Sequence, residues 1–269
     1  MSLRINNNVE AFNAHRQLVG TSNKLQKAME RLSSGYRINR AADDAAGLAI
    51  SERLRAQIKG LGQAQRNAQD AVSLVQTAEG SLTEVHAMLQ RVRELAVQYK
   101  NGSLGSDDRL AIQSEINQLA SEIDRIGTAA EFNGINVLNS VGTVSFQVGA
   151  NDGEIITIST VSLGQAVPAA AFSLSAAGGT DLQEIDSAIA AVSNQRAQFG
   201  AVQNRLEYAL NNLATYQENL IASESRIRDV DMAAEMVELT KLQILQQAGT
   251  AMLAQANQSP QSVLSLLRT

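Results

Sequence analysis

The longest regular pattern of apolar positions lies between residues 54 and 99. One line of residues recurs there at a spacing of seven: Leu54, Leu61, Ala68, Val75, Leu82, Leu89 and Ala96. A second line interleaves with it: Ile58, Val72, Val85, Val92 and Tyr99. We call the two lines together the seam. Alternating spacings of three and four place apolar side chains on one helix face, and over this length they are typical of coiled-coil packing.

A helix from about Asp44 to Tyr99 would be roughly 80 Å long and would need partners along its whole seam. The segment 101–107 is turn-like, so the next helix is expected to fold back antiparallel. That shorter helix repeats the apolar spacing at Ile112, Ile116, Leu119, Ile123 and Ile126. A third helix offers Leu182, Ile185, Ile189, Val192, Phe199, Val202, Leu206, Leu213 and Leu220. The alternative, a compact bundle of ordinary shape, is disfavoured by the length of the seam.

The block from about 130 to 180 has the pattern of strands. Val144, Phe146 and Val148 alternate with polar residues, as do Ile156 and Ile158. One or two β-hairpins are therefore predicted around the turn-like segment 149–153, with a further strand at 161–163.

The two terminal segments, 4–33 and 230–267, are compatible with helices but rich in Asn, Gln and Ser. Isolated helices of this kind are marginal in water because nucleation is costly and the apolar face lacks a partner. They are expected either to pair with each other or to order against neighbouring subunits.

These patterns together predict a mainly α fold: an elongated antiparallel helical bundle or coiled coil with a small β-hairpin region. Its domains are expected to be discontinuous and built from both termini. One domain would comprise 1–44 plus 229–269. The other would be a helical rod at 45–228 that includes the hairpin region.

Composition narrows the possible functions. Aromatic residues make up 3% of the chain and only two prolines occur, which suits thin layers of long helices. The net charge is −5 without a basic run, which argues against nucleic acid as a partner. Cysteine is absent, which excludes a disulfide framework and a thiolate metal site.

No run approaches the ~18 apolar residues of a membrane span, and the N-terminus lacks the apolar region of a secretory signal. Taken alone, this is typical of a cytoplasmic protein.

Candidate chemistry is sparse. His15 and His86 stand apart from other metal ligands, and His86 lies between Val85 and Leu89 of the seam. The pair Asp43 and Asp44 could suggest acid–base chemistry or a cation site, but helix capping explains it better. Gly35 is expected to end one helix and either aspartate to begin the next. The sequence therefore predicts no catalytic residue, no cofactor and no metal, and the chain is not expected to be an enzyme.

Four blocks of sequence resemble the hallmarks of bacterial flagellins. Residues 30–51 (ERLSSGYRINR and the following DDAAGLAIS) and 90–98 (QRVRELAVQ) are similar to the N-terminal hallmark. Residues 224–233 and 251–258 are similar to the C-terminal hallmark. The resemblance covers about 1–140 and 180–268, with the blocks in the family's order.

The resemblance implies a subunit that polymerises into the bacterial flagellar filament for swimming motility. Flagellin termini pair as coiled helices in the inner tube and are disordered in the free monomer. The family leaves the cell unfolded through the flagellar export channel without a cleaved signal, which implies an extracellular location. Implied partners are further copies of the chain, an export chaperone, the filament cap and hook-associated proteins. Only about fifty residues form the middle block, so outer domains are expected to be absent.

The resemblance also implies contact residues. Many flagellins, as monomers, are sensed by an innate immune receptor, and the family positions for this contact fall on Arg91, Leu95 and Glu115. Arg91 and Leu95 are four apart on one helix face beside the seam, where an exposed side chain is expected to reach out. The same residues could instead serve only lateral contacts between subunits.

Hydroxyl residues of the middle block could accept O-linked sugar, a common modification in the family, or could be ordinary strand and turn residues. They are Ser140, Thr143, Ser145, Thr157, Ser159 and Thr160.

Three other classes remain as alternatives. A hook–filament junction protein resembles flagellin at both ends, but the compact middle block and residues 251–258 favour flagellin. A cytoplasmic helical signalling or scaffold module would share the heptads without a reason for weakly helical ends. An enzyme built on a flagellin frame would need a catalytic insert.

Overall fold

The computed structural model describes residues 8–139, 141–167, 172–174 and 181–267, without the side chains of 165–166 and 259–267. The helices of this part are α1 (Val9–Ser34), α2 (Ala45–Tyr99), α3 (Ser106–Ala129), α4 (Leu163–Ala166), α5 (Asp181–Arg228) and α6 (Met232–Leu267). The strands are β1 (Glu131–Phe132), β2 (Ile135–Asn136), β3 (Gly142–Gln147) and β4 (Ile155–Thr160). The predicted mainly α class with a small antiparallel β region is confirmed.

The chain divides into two compact units. Unit 1 comprises Met1–Ala56 and Asn219–Thr269, and unit 2 comprises Gln57–Glu218. Both ends of the chain therefore belong to the same unit, and α2 and α5 each contribute residues to both. The functional domains expected from the sequence, 1–44 plus 229–269 and 45–228, stay a prediction.

The seam forms the centre of unit 2. Six of its heptad positions have at most 2% of their surface exposed: Leu61, Ala68, Val75, Leu82, Leu89 and Ala96. Residues of α5 complete the core, among them Val192, Phe199 and Leu206. The prediction of one long buried stripe is therefore confirmed from Leu61 onward, because two further helices cover it.

Both partner helices run antiparallel to α2 within unit 2. Early residues of α3, Ile112 and Ile116, pack with Ala96 near the end of α2, whereas Ile123 joins the cluster around Leu82. The order on α5 is likewise reversed. Its Asp186 carboxylate is 2.6 Å from the Arg93 guanidinium, whereas Arg196 lies 3.8 Å from Glu79. The fold-back predicted after residues 101–107 is confirmed.

Two β-hairpins lie between α3 and α5. Strands β3 and β4 pair antiparallel with Val144 opposite Ile158 and Phe146 opposite Ile156, and this apolar face packs on the core of unit 2. The smaller pair, β1 and β2, closes around Asn133 and Gly134, whose φ angles are 49° and 76°. A two-residue Asn-Gly loop with both φ angles positive is the preferred tight hairpin turn.

The further strand expected at 161–163 is wrong. Leu163 begins α4 instead, with its side chain 4% exposed in the core of unit 2. Its backbone N–H donates to the Leu138 carbonyl at 2.9 Å. This single hydrogen bond connects Leu163 to the segment after β2 but does not add a strand to either hairpin. The apolar side chain at 163 is therefore explained by burial at the start of a helix.

In unit 1, α1 and α6 pack against each other in antiparallel fashion. Leu25 and Ala28 of α1 form a buried cluster with Leu242 of α6. On one side of this cluster Arg31 lies 3.7 Å from Glu235, and on the other the Asn8 side chain donates to the Ala256 carbonyl at 2.8 Å. The sequence left two arrangements open: pairing of the terminal helices with each other, or packing against neighbouring subunits. In this structure α1 and α6 pair with each other.

Candidate functional site

The terminal helices keep a large apolar surface exposed even though they pair. Among the described side chains, the exposed large apolar residues of α1 are Val9, Phe12, Val19 and Met29. Those of α6 are Met232, Met236, Val237, Ile244, Leu245 and Met252. We call these ten residues the terminal apolar set. Scattered single apolar residues are normal on a surface, but a concentrated set marks a site of association.

A groove of about 1080 Å³ lies between α1 and α6. Leu18, Leu245 and Met252 contribute apolar walls, and Lys24 and Lys241 contribute charge. The two helices therefore bury only part of their apolar surface against each other. Among the α6 side chains that the structure describes, Leu242 is the large apolar one that is buried, at 4% exposed.

The end of α1 is set by Gly35, one of the predicted junction residues. Its φ of 77° is left-handed, and its N–H donates to the Arg31 carbonyl at 2.8 Å. The Gly35 carbonyl in turn accepts from the N–H of Val230 at 3.0 Å. A side chain would be strained at this φ, so glycine lets the chain turn and join the segment before α6.

The other two junction residues, Asp43 and Asp44, both accept backbone hydrogen bonds. The Asp44 carboxylate accepts from Gly47 N–H at 2.9 Å in the first turn of α2. The Asp43 carboxylate accepts from the N–H groups of Arg40 and Asn39 at 3.1 and 3.3 Å. The bond from Arg40 is the main reason that the pKa of Asp43 lies below its ordinary value.

Arg91 and Glu115 lie together on an exposed face of unit 2. The guanidinium of Arg91 is 3.0 Å from the Glu115 carboxylate and 3.2 Å from that of Glu94. The hydrogen bond to Glu115, then that to Glu94, raises the pKa of Arg91 above its ordinary value. Two of the three predicted contact residues are thus joined directly.

Leu95, the third predicted contact residue, is not exposed. Only 2% of its surface is accessible, because it packs with Ile112 and Ile116 of α3 and with Ile185 of α5. The expectation that its side chain reaches out beside the seam is wrong. Position 95 adjoins Val92 and Ala96 on a stripe that two helices cover, so it belongs to the core.

The predicted hydroxyl residues separate by exposure. Thr143 lies opposite Ser159, and Ser145 opposite Thr157, so these four exposed side chains line the outer face of the β3–β4 hairpin. Thr160 is only 5% exposed and is therefore a poor acceptor for a bulky sugar, contrary to expectation. Alternation along β4 turns this residue to the packed face. Ser140 lies outside the described residues.

No cluster of three or more His, Cys, Asp or Glu side chains suited to a metal ion occurs among the described residues. Within the same part of the chain, none of the helices has the length and apolar character of a membrane span. His86 is half-buried on α2, with Nε2 at 3.0 Å from the Gln90 side chain.

Sequence reasoning missed Arg228, which holds the junction of unit 1 together. Its guanidinium lies over the Tyr36 ring, 4.8 Å from the centroid, and donates to the Glu52 carboxylate at 2.7 Å. Its backbone carbonyl accepts from Arg37 N–H at 2.7 Å. The adjoining aromatic and basic residues at 36–37 were the only local signal, since their partners are about 190 residues away along the chain.

Long paired helices and a small hairpin region make this a mainly helical protein, and its terminal helices expose apolar side chains. Residues 5–143 match the bacterial flagellin N-terminal helical region, and residues 182–267 match the bacterial flagellin C-terminal helical region. The chain belongs to the bacterial flagellin family.

Individual relatives agree over nearly the whole length. The chain is 54% identical to a flagellin of Halalkalibacterium halodurans, with 98% of this chain and 99% of the relative covered. It is 48% identical to a flagellin of Bacillus subtilis, with 99% and 100% covered. The crystal structure of Bacillus cereus flagellin aligns with a TM-score of 0.51 and 31% identity, over 55% of this chain and 88% of that one.

Proposed function

We propose that this chain is the subunit of a bacterial flagellar filament, which it builds by polymerising with copies of itself for swimming motility. The main support is the terminal apolar set, which leaves large apolar side chains of α1 and α6 in contact with solvent. Burial of apolar surface contributes roughly 25 cal/mol per Å², so neighbouring subunits that cover this set would gain substantial free energy.

The location follows from the same proposal. A relative 48% identical to this chain is the flagellar filament 33 kDa core protein of Treponema phagedenis. We place this chain likewise outside the cell, in the filament. Export would take it unfolded through the flagellar channel, without a cleaved signal peptide. An export chaperone, the filament cap and hook-associated proteins would be its partners during export and assembly.

Recognition of the monomer by an innate immune receptor belongs to the proposal as well. Arg91 and Glu115 support it, since both are exposed and joined on one face of unit 2. Leu95 would act from beneath this face, by packing α2 against α3, rather than by touching the receptor. Lateral contacts between subunits could use the same face, and recognition would then be confined to the monomer.

Sugar attachment is proposed for the four exposed hydroxyl residues of the β3–β4 hairpin: Thr143, Ser145, Thr157 and Ser159. Their support is exposure and common orientation on one face. We propose no catalytic function for the chain.

The hook–filament junction protein remains the second candidate. The full-length identities of 54% and 48% to flagellins favour the filament subunit over it. The two candidates differ in the length of polymer that they form. A junction protein would form short, self-limiting assemblies, whereas a filament subunit would elongate as long as monomer is supplied.

Seeded elongation tests the proposal. Purified chain is added to sheared seeds of its own polymer, and growth is followed by negative-stain electron microscopy. Long filaments are expected; a failure to elongate seeds over a wide range of concentration would contradict the proposal. Val237→Ser on α6 should raise the concentration needed for growth by about tenfold or more, since a buried apolar side chain contributes about 1.5–3 kcal/mol. Leu110→Ser on α3 is the matched control, because Leu110 is 69% exposed and Val237 is 70% exposed.

A further inference from the structure

We propose that the exposed methionines of α1 and α6 form a modification site for peroxide, and that their oxidation to sulfoxide blocks assembly. The inference rests on the proposed function, because it assigns a chemical control to the same surface. The four residues are Met29, Met232, Met236 and Met252.

All four belong to unit 1, and each has about half or more of its surface accessible, from 47% at Met29 to 65% at Met252. The other described methionine, Met88, is half-buried against the core of unit 2. Methionine reactivity with peroxide follows the exposure of the sulfur. The sulfur atoms that an oxidant reaches most easily are therefore concentrated on the two terminal helices.

Three of these methionines lie at the same end of the α1–α6 pair. Arg31 of α1 and Glu235 of α6 lie 3.7 Å apart at this end. Met29 precedes Arg31 by two residues, and Met232 and Met236 lie on either side of Glu235 in sequence. Met232 and Met236 are four residues apart and share a face of α6.

The chemistry needs only peroxide. A lone pair of the methionine sulfur attacks one peroxide oxygen, the O–O bond breaks and an S–O bond forms. The second oxygen takes up the proton of the oxygen now bound to sulfur and leaves as water, so methionine loses two electrons and peroxide gains them. Because the chain contains no cysteine, no thiol of this chain competes for the oxidant.

The effect on assembly follows from polarity. An unmodified thioether is apolar and flexible, and a neighbouring subunit can bury it. A sulfoxide oxygen buried without a hydrogen-bond donor loses its hydration without compensation. Oxidation at the terminal helices should therefore disfavour the polymer while leaving the core of unit 2 intact.

The test compares monomer before and after hydrogen peroxide. Peptide mass spectrometry identifies the sulfoxides, and seeded elongation measures competence. We expect the elongation rate to fall by about tenfold or more, the size expected for a polar group buried without a partner. Treatment with the two thiol-dependent methionine sulfoxide reductases, one for each sulfoxide epimer, should restore the rate. Circular dichroism should show that the helicity is retained.

Two variants locate the effect. In the fourfold variant Met29→Leu, Met232→Leu, Met236→Leu and Met252→Leu, the rate after peroxide is compared with that of its own untreated sample and should not fall. Met88→Leu should stay as sensitive as the wild type. Two results would overturn this inference and leave the proposed function standing. One is an equal elongation rate for oxidised and untreated wild type; the other is a reduced rate that treatment with the reductases does not restore. If the untreated wild type does not elongate seeds at all, both the proposed function and this inference fail. If the untreated fourfold variant does not elongate seeds, the test rests on the wild type alone, whose elongation rate is compared before peroxide, after peroxide and after repair by the reductases.

Discussion

The guanidinium of Arg91 and the carboxylate of Glu115 join α2 to α3 through two hydrogen bonds to one oxygen, at 3.1 and 3.0 Å. Their side chains are 52% and 47% exposed, so the pair is largely solvated. Exposed ion pairs of this kind contribute little to folding stability. Arg91 can therefore be replaced with small effect on the fold, which makes it suited to test a role in binding.

Arg91→Ala should weaken stimulation of the innate immune receptor by at least about 1 kcal/mol, the loss that marks an important interface arginine. A reporter-cell titration with monomeric wild type and variant measures it as a shift in potency. Arg66→Ala is the control, because Arg66 is exposed on the same helix and, among the described residues, its side chain hydrogen-bonds to Gln63. Equal potency of wild type and Arg91→Ala would contradict the assignment.

Truncation of the seam should destabilise unit 2. Leu61 and Leu89 are 1% and 0% exposed, and replacing either with alanine is expected to cost about 2–5 kcal/mol, through lost burial and a residual cavity. Thermal or denaturant unfolding of the monomer measures the change. Leu110→Ala, which removes an exposed side chain from α3, should change stability by less than about 0.5 kcal/mol. Unchanged midpoints for both seam variants would refute the packing described for α2.

Protonation of the Asp43 carboxylate should lower the stability of unit 1 in acid. Its pKa in the folded chain lies below the ordinary value of 3.8, mainly through the hydrogen bond from Arg40 N–H. The charged form is thus favoured by folding, and its contribution is fully present above pH 3.8 and lost as the pH falls through the folded-state pKa. The stability difference between wild type and Asp43→Asn should therefore be largest at neutral pH and shrink in acid. A difference that is constant or that grows toward low pH would exclude this account.

Native protein should be heavier than the bare chain of 28.7 kDa if the exposed hydroxyls of the hairpin bear sugar. Intact mass spectrometry measures this directly. Replacing Thr143, Ser145, Thr157 and Ser159 with alanine should remove the added mass, whereas Thr160→Ala should not, because Thr160 is buried. A native mass equal to that of the bare chain would exclude the modification.

The long helices and the seam could be predicted from the sequence, because a heptad pattern directly reports which side chains share a helix face. Burial of Leu61, Leu82 and Leu89 follows from that pattern alone. Leu95 shows the limit of what the heptad pattern predicts. The period predicts a stripe but not its width, and here the two helices α3 and α5 cover a wider stripe than one heptad line.

The remaining differences have local or long-range causes. The β1–β2 hairpin depends on Asn133 and Gly134, a turn signal that lies outside the alternating residues used to predict strands. The contact of Arg228 with Tyr36 joins residues from opposite ends of the chain, so no local pattern could predict it. The pairing of α1 with α6 was one of two arrangements compatible with the sequence, because their weak apolar stripes fit either a partner helix or a neighbouring subunit.

Polymerisation of two truncated chains, one lacking residues 1–40 and one lacking 232–269, tests the central proposal most directly. Each truncation removes one of the two terminal helices and with it part of the terminal apolar set. Electron microscopy of seeded samples, with circular dichroism to verify that helices remain, is the measurement. The proposal predicts that neither truncated chain forms filaments although both retain a folded unit 2. Filaments assembled from both truncated chains would contradict it.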